Sequence, residues 1–461
     1  IHWTYARILS EATTSPFARI SDESIRSDPS PTIETVFEEI LMIDPAADEK
    51  SLITRIEDLE RLKSAAAAAQ ARAAAAFASA RRAAEDAAGV PARRRGRGVA
   101  AEIALARRDS AARGNRHLGF ANALVHEMPH TLAALESGAL SEWRATLIVR
   151  ETACLDVEDR RALDAELCGE RARLEGMGDR RVAADARAIA YRLDPHAVTD
   201  RAVRAERERT VTIRPAPDCM TYLTALLPMA QGVSVYAALK RAADTCGDGR
   251  GRGMVMADTL VERVTGRPAT VATPIAVQLV LSDESLLGGS TAPARVPGYG
   301  PIPAPVARQL IAAAAADRDS RASLRRLYRH PRSGALVAME SRSRIFPAGL
   351  TRFIGLRDGT CRTPYCDAPI RHTDHAIPAA RGGPTSAANG EGLCEACNYA
   401  KEAPGWTVVT HTGPDGTHAA ALSTPTGATH RSTAPPIAEM PRRDISALEV
   451  DVGLALARCA A

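Results

Sequence analysis

Residues 361–401 decide the fold of the C-terminal part of this chain, and they read CRTPYCDAPIRHTDHAIPAARGGPTSAANGEGLCEACNYAK. Two cysteine pairs frame the stretch, Cys361-x4-Cys366 and Cys394-x2-Cys397, with 27 residues between them. Four thiolates at such spacing satisfy a tetrahedral zinc ion that keeps no open position. We therefore predict a structural zinc site, which holds together a segment too small to form a large core.

The residues inside this frame suit phosphodiester hydrolysis. Asp374 and Asn398 offer oxygen ligands of the kind that Mg²⁺ or Mn²⁺ prefers, and two protein ligands leave positions for phosphate oxygens and water. His375 is suited to deprotonate water, because the ordinary pKa of histidine is about 6.5. Adjacent side chains of a strand point to opposite faces, so Asp374 and His375 must converge at a bend, a bulge or the strand edge.

Three further polar residues complete the candidate site. Asn389 is placed to hydrogen-bond the loop backbone and to fix the orientation of His375. Lys401 follows Asn398 by one helical turn and is expected to contact DNA phosphate, as is Arg381. The candidate catalytic residues are therefore Asp374, His375, Asn389 and Asn398.

The segment resembles the HNH endonucleases, whose fold is a β-hairpin plus a helix around one catalytic metal. Asp374-His375 matches the first motif position, Asn389 the central asparagine and Asn398 the last position. The resemblance implies Asp374 and Asn398 as ligands of the catalytic metal and His375 as general base. The chain departs from the usual pattern at Asn389-Gly390-Glu391-Gly392, where two glycines are expected to loosen the hairpin and lower activity.

The rest of the chain resembles actinobacterial proteins that carry a helical "domain of unknown function 222" before an HNH nuclease, also called the 13E12 repeat family. The supporting sequences are LAALESGALS at 132–141, PDCM at 217–220, GW at 405–406 and PTG at 425–427. The resemblance gives no role to the helical domain.

Composition agrees with a mostly helical N-terminal region. Hydrophobic residues make up 45% and aromatics only 4%, and alanine is abundant, which favours helices over a β-sandwich. A long helix is predicted over 48–88; its alanine face suits either scaffolding or self-association in a homo-oligomer. Further helices are predicted over 99–192, 220–227, 234–244, 254–265, 305–316 and 350–357, with breaks near Asp109, Pro129, Ser141 and Asp156, and strands over 210–214, 275–281, 407–410 and 419–422.

The predicted fold class is α+β, a mostly helical N-terminal region followed by a small ββα-metal nuclease module with a four-cysteine zinc site. The expected domains are a disordered N-terminus (1–34), a mainly helical domain (35–287), a linker with a basic hairpin (288–349), the HNH module (350–411) and a C-terminal strand and tail (412–461).

Arginine is concentrated before the cysteine cluster. The net charge of +4 is too small to imply nucleic acid by itself, but ten arginines lie between 318 and 357 against only Asp319 and Glu340. Arginine donates two parallel hydrogen bonds to phosphate, so we predict DNA contacts by Arg325, Arg326 and Arg329. A solvated basic face is the alternative. The run at 93–97 is a weaker candidate of the same kind.

The sequence favours an endonuclease that cuts DNA with one divalent metal and a histidine base. The main rival is a non-catalytic DNA-binding protein with a decayed HNH module, and a third class is a structural protein built on the long helix. No apolar run reaches 18 residues, so no membrane span is expected, and a cytoplasmic location is the default.

Overall fold

The structure is a computed structural model, which describes residue 38 and residues 40–269, 279–286, 290–296, 299–316, 340–341 and 345–436. The predicted disordered N-terminus, the basic hairpin at 324–339 and its Arg325, Arg326 and Arg329 lie outside the described residues, as does most of the strand predicted over 275–281. Within the described residues, no helix combines the length and the apolar character that crossing a membrane requires.

Helices dominate the described chain before residue 210. They are α1 (Glu49–Ala87), α2 (Val99–Ala106), α3 (Ala111–His126), α4 (Pro129–Glu136), α5 (Glu142–Glu151), α6 (Val157–Cys168), α7 (Asp179–Leu193) and α8 (Pro195–Ala205), with a 3₁₀ turn at Ala92–Arg94.

The predicted breaks between these helices are confirmed by their caps. The side chain of Ser141 accepts a hydrogen bond from the backbone N–H of Arg144 at the start of α5. Asp156 does the same for Asp159 at the start of α6. Pro129 stands in the first turn of α4, where its missing N–H costs nothing. Short polar side chains therefore set these boundaries locally.

The alanine face of α1 is buried inside the chain, so the predicted self-association through this face is corrected. Ala67, Ala68, Ala71 and Ala75 are among the buried residues of one core that α3 to α7 also line. Small side chains let these helices approach α1 closely. The alternative role of this face, scaffolding, is the one that the packing supports.

A β-hairpin follows α8 and overturns one predicted helix. β1 (Thr210–Pro215) pairs with β2 (Thr221–Leu226) in antiparallel register, although a helix was expected over 220–227. Asp218 and Cys219 both have positive φ, 58° and 59°, which is the geometry of a tight type I′ turn. That turn reverses the chain so that β2 pairs with β1. This pairing outweighs the helical propensity of the Ala and Leu residues in β2.

The region before the cysteine cluster contains more structure than the linker that we expected. After α9 (Met229–Thr245) and α10 (Arg252–Thr265), a short α11 (Asp283–Leu286) is followed by a second hairpin of β3 (Ala294–Val296) and β4 (Gly300–Ile302). α12 (Ala304–Ala316) then begins beside Pro305, as predicted.

The cysteine cluster lies in a small α+β unit. Its elements are β5 (Glu340–Ser341), α13 (Ala348–Asp358), β6 (His372–His375), β7 (Thr385–Ser386), β8 (Gly390–Leu393) and α14 (Glu395–Lys401). β6 pairs with β8 and β5 with β7, both antiparallel. The β6–β8 hairpin followed by α14 has the predicted ββα order.

The described part of the chain closes with a three-stranded antiparallel sheet, whose first two strands were predicted and whose third lies in the expected C-terminal tail. β9 (Thr407–Thr412), β10 (His418–Ser423) and β11 (Thr429–Thr433) lie in the order β11-β10-β9. The third strand was missed because its sequence, Thr429-His-Arg-Ser-Thr433, has no apolar alternation. The tight turn at 424–427, with Gly427 at φ 85°, returns the chain to β10.

Helices α2 and α3 share a core with the cysteine cluster. Ala101, Leu105 and Ala111 are buried together with the four cysteines and Trp406. A Cβ atom added at Gly98 would lie 2.6 Å from Trp406 Nε1, so the start of α2 touches the unit directly. The helical region thus packs onto the element that carries the site.

Candidate active site

The four clustered cysteines have the geometry of a zinc site. Cys361, Cys366, Cys394 and Cys397 are buried, and their sulfur atoms all lie within 4.8 Å of one another. The Sγ atoms of Cys366 and Cys394 are 3.8 Å apart. A tetrahedron with zinc–sulfur bonds of about 2.3 Å has edges of about 3.8 Å, so the donor set fits zinc without rearrangement.

Local backbone geometry brings these sulfurs together. Tyr365, within the first cysteine pair, adopts a left-handed φ of 63° that closes the tight loop. In the second pair, Cys394 caps α14, and its sulfur accepts the backbone N–H of Cys397 at 3.4 Å. The first turn of a helix therefore positions two ligands, as the Cys-x2-Cys spacing predicts.

The β6–β8 ladder places Asp374 and His375 at the end of a strand. Asp374 is paired with Glu391 and His375 with Gly390. The pairing is regular, and the strand ends at His375, so the two side chains meet at the strand end without a bulge. His375 Nδ1 lies 3.9 Å from Asp374 Oδ1.

Asn389 holds the loop that follows His375. Its Oδ1 accepts the backbone N–H of Ile377 at 2.9 Å, and its Nδ2 donates to the carbonyls of Ile377 and Pro384. Its backbone carbonyl accepts from Ala376 N at 2.7 Å. Every polar atom of this amide is thus used to fix the backbone around the histidine.

The His375 ring is enclosed by two residues that the sequence did not single out. Its Nε2 lies 2.9 Å from Thr385 Oγ1, and both residues are buried. The Phe346 ring packs on the imidazole with centroids 4.5 Å apart. Thr385 has no local signal in the sequence, because it lies ten residues after the histidine, in the short strand β7, and meets it only in the folded chain.

Lys401 points inward to Asp374. Its Nζ lies 2.9 Å from Asp374 Oδ2 and also donates to the backbone carbonyl of His375. The side chain is only 6% exposed, which argues against the predicted contact with DNA phosphate. Burial raises the pKa of Asp374, but the hydrogen bond and the charge of Lys401 outweigh it, so the pKa lies below its ordinary value.

Asn398 offers an unused acceptor to a cation. It lies one turn before Lys401 on α14, and its Oδ1 is buried without a hydrogen-bond partner in the described part of the protein. A buried acceptor without a partner is costly unless something else satisfies it. An amide oxygen and the Asp374 carboxylate form the hard oxygen set that Mg²⁺ or Mn²⁺ takes, so these residues fit such an ion.

The two glycines that depart from the HNH pattern are needed for packing. A Cβ atom at Gly390 would lie 2.4 Å from Ile354 Cδ1 and 2.8 Å from Phe346 Cε1. At Gly392 it would lie 2.5 Å from Ile370 Cδ1. The bare backbone at these positions lets β8 pack closely against Ile354 and Ile370, and the expected loosening of the hairpin and lower activity stay predictions.

A buried charged network behind β8 was not foreseen from the sequence. Arg357 donates to the carbonyls of Ala387 and Gly390 and forms an ion pair with Asp358. Asp358 Oδ2 accepts the backbone N–H of Gly392 at 2.7 Å. The last two residues of α13, Arg357 and Asp358, thus hold strand β8, which begins directly after Asn389.

Arg381 is the one predicted DNA contact that is both described and exposed, and it lies in a 3₁₀ turn at Ala379–Arg381. The turn belongs to the loop that Asn389 fixes, between β6 and β7. Arg381 therefore lies on the loop that connects His375 to Thr385.

Comparison with known families agrees with this architecture. A family model described as a domain of unknown function (DUF222) matches residues 57–358, which are 302 of the 461 residues. The chain belongs to the DUF222 family. A second model, described as HNH endonuclease, matches residues 361–403. No curated protein and no solved structure matches the chain significantly.

The two matches divide this DUF222 protein at the end of α13. The first match stops at residue 358 and the second begins at Cys361, the first of the four clustered cysteines. The suspected order, a DUF222 region followed by an HNH domain, is confirmed. The HNH match spans the four cysteines and the four candidate catalytic residues, so the geometry described above belongs to an HNH endonuclease domain.

Proposed function

We propose that the protein is an endonuclease that hydrolyses DNA phosphodiester bonds, with a divalent cation at Asp374 and Asn398 and with His375 as general base. The observation that carries the proposal is the enclosure of His375 at the end of β6, beside a carboxylate and with one ring nitrogen already engaged by Thr385. A buried, oriented imidazole next to an acidic residue suits proton abstraction from water.

We assign the ring nitrogens by taking Nε2–H as the donor and Thr385 Oγ1 as the acceptor in their contact. A neutral imidazole has one N–H donor and one acceptor nitrogen. With Nε2–H donating to Thr385 Oγ1, Nδ1 becomes the acceptor, and it is the nitrogen on the Asp374 side. His375 Nδ1 therefore takes the proton from the attacking water, while Thr385 acts as a positioning residue.

Asp374 and Asn398 would hold the cation through oxygen atoms. When bound, Mg²⁺ or Mn²⁺ neutralises charge on the phosphate and stabilises the leaving 3′ oxygen. Asp374 is ionised at neutral pH, because Lys401 keeps its pKa low. Lys401 also ties the His375 backbone to α14, so it orients the two adjacent residues relative to Asn398.

The zinc held by the four cysteines has a structural role in this proposal. Four thiolates leave no open coordination position, so this ion supplies no water or Lewis acid to the reaction. It fixes α14, which carries Asn398 and Lys401, against the β6–β8 hairpin. Arg381, and beyond the described residues Arg325, Arg326 and Arg329, remain proposed contacts to the DNA backbone.

The proposal is tested by incubating the full-length protein with supercoiled plasmid in Mg²⁺ or Mn²⁺. The parent should nick or linearise the plasmid. Asp374→Ala should weaken metal affinity, so excess metal should partly restore its rate, and Asn398→Ala should behave likewise but more mildly. A parent that binds plasmid but does not cut it with either ion would favour the rival proposal, a DNA-binding protein with a decayed HNH module.

A further inference from the structure

We infer that the helical DUF222 region binds the DNA backbone through exposed arginines at the two ends of α2. The inference rests on the proposed function, since it names the surface that would hold the substrate of the nuclease. It assigns a role to a part of the chain for which the family match supplies none. The partner is a DNA duplex, recognised by its phosphates.

The stretch from Arg93 to Arg116 is strongly basic. It contains eight arginines and two acidic residues, a formal charge of +6 over 24 residues. Five of these arginines are exposed, and their guanidinium groups have no hydrogen-bond or ion-pair partner among the described residues. They are Arg93, Arg94, Arg97, Arg108 and Arg116.

The two acidic residues of the stretch do not neutralise these five arginines. Glu102 is buried, pairs with Arg81 at 3.1 Å and accepts the backbone N–H of Thr426. Asp109 is engaged by His117 Nε2 at 3.0 Å and by Arg113. Both carboxylates therefore interact with partners within the protein. The five exposed arginines remain available to bind an external anion.

The arginines are anchored to the HNH domain by a shared core. Gly98 lies against Trp406, and a Cβ atom there would also approach Ala403 Cβ to 3.0 Å. At the other end of α2, Leu105 and Asp109 line a small cavity together with Cys397 and Lys401. The basic stretch therefore lies beside the unit that carries the candidate site and packs against it through shared buried residues.

The length of α2, which separates Arg97 from Arg108, is compatible with contacts to successive phosphates of a duplex, and Arg116 lies on the following helix α3. α2 has eight residues, which is about 12 Å of helix at 1.5 Å per residue. At about 3.4 Å per base pair, that length spans roughly three to four base pairs. Arg93, Arg94 and Arg97 precede the helix, and Arg108 and Arg116 follow it. Guanidinium groups donate two parallel hydrogen bonds to phosphate, so both groups suit backbone contacts without base recognition.

The test measures binding of a fluorescent 25-base-pair duplex by the full chain, without Mg²⁺ or Mn²⁺, over a series of salt concentrations. One variant carries Arg93→Gln, Arg94→Gln and Arg97→Gln, and a second carries Arg108→Gln and Arg116→Gln. The matched control removes three exposed arginines that likewise have no described partner, by Arg201→Gln, Arg204→Gln and Arg207→Gln, in and just after α8.

We expect the first variant to bind about tenfold or more weakly, and its salt slope to fall by about 0.9 for each lost phosphate contact. The second variant should show a smaller loss of the same kind, and the control should keep the parent's affinity and slope. Thermal melting should be unchanged in all variants, because the substituted side chains are exposed.

Three results would overturn the inference. They are a parent that does not bind the duplex, variants that match the parent, and a control that loses as much affinity as the first variant. If the parent fails to bind the duplex but binds poly-glutamate, the surface serves an acidic protein partner instead. A parent that binds through these arginines but cuts no plasmid would instead refute the proposed nuclease activity, so the two failures are distinguishable.

Discussion

The Nε2 atom of His375 lies 2.9 Å from the Oγ1 atom of Thr385, and this contact leaves Nδ1 as the ring nitrogen beside Asp374. Both residues are buried, so the hydrogen bond is shielded from water. Loss of the threonine hydroxyl would leave Nε2 without this partner and would let the ring adopt the other tautomer or turn. In the proposed mechanism, the orientation of His375 therefore depends on Thr385, which is not one of the motif positions.

Replacing Thr385 should separate a positioning role from a structural one. Thr385→Val keeps the shape but removes the hydroxyl, and it should lower kcat by about tenfold or more with little change in KM, because the base acts in the transition state of water attack and not in substrate binding. Thr385→Ser should restore most of the rate. NMR of the imidazole nitrogens in zinc-loaded protein without Mg²⁺ or Mn²⁺, assigned with His375→Ala, should show the Nε2–H tautomer in the parent and lose it in Thr385→Val. Equal rates for Val and Ser would contradict the positioning role.

Gly390→Ala should destabilise the HNH domain and disturb the base together. The added methyl group would lie 2.4 Å from Ile354 Cδ1 and 2.8 Å from Phe346, the ring that packs on His375. Overpacking of this kind costs about 1–3 kcal/mol in the free energy of unfolding. The control is Gly355→Ala within α13, where a Cβ meets nothing within 4 Å, and where helix propensity should add up to about 1 kcal/mol. Urea denaturation measures both, and an unchanged Gly390→Ala would show that the glycine is dispensable.

Zinc should be integral to the folded HNH domain and to its contact with α2. Elemental analysis should find about one zinc per chain, the number that one four-thiolate site holds. Cys397→Ser should release the zinc and make residues around α14 and α2 sensitive to protease, because these helices share one core with the cysteines. Cys219→Ser, at an exposed cysteine, is the control and should keep the metal. An ordered domain without zinc would refute the assignment.

Acid should destabilise the protein through His418. Its Nε2 lies 2.9 Å from the carbonyl of Ala388, and its Nδ1 is buried without a partner in the described structure. Burial, together with the charge of Arg357, lowers the pKa of His418 to about 4 from its ordinary 6.5. Below about pH 6.5 this histidine is therefore protonated in the unfolded chain, whereas in the folded state it stays neutral down to about pH 4. The free energy of unfolding therefore falls as the pH drops through this window.

Protonation of the unfolded chain at His418 should lower the free energy of unfolding by about 2 kcal/mol at pH 5 relative to pH 7. His418→Gln keeps an N–H donor for Ala388 but does not titrate, so its free energy of unfolding should fall less over the same range. Acid-induced loss of zinc affects both proteins and cancels in the difference between them. Parallel pH profiles for parent and variant, measured by urea denaturation, would show that His418 does not contribute.

Residue spacing foresaw much of the candidate site, because its signals are local. The Cys-x2-Cys pair is a helix start, and Ser141 and Asp156 cap helices through their own side chains. Such features are decided over one turn of chain, so a pattern in the sequence predicts them.

Long-range packing could not be foreseen in the same way. The β2 strand has helix-forming Ala and Leu, and the turn at Asp218-Cys219 decides against them. Lys401 was expected to contact DNA phosphate, yet its Nζ pairs with Asp374, 27 positions earlier in the chain, and the side chain is buried. The alanine face of α1 was expected to be available to a second copy, but α3 to α7 cover it. Each of these outcomes depends on contacts between residues that are far apart in the sequence.

The most direct test of the account compares plasmid cleavage by the parent and by His375→Ala, at equal zinc content and with saturating Mg²⁺ or Mn²⁺. The parent should cut, and His375→Ala should be slower by about 10²–10⁴, because it lacks the base, while its affinity for DNA stays near that of the parent. A His375→Ala protein that cuts plasmid as fast as the parent would contradict the central claim.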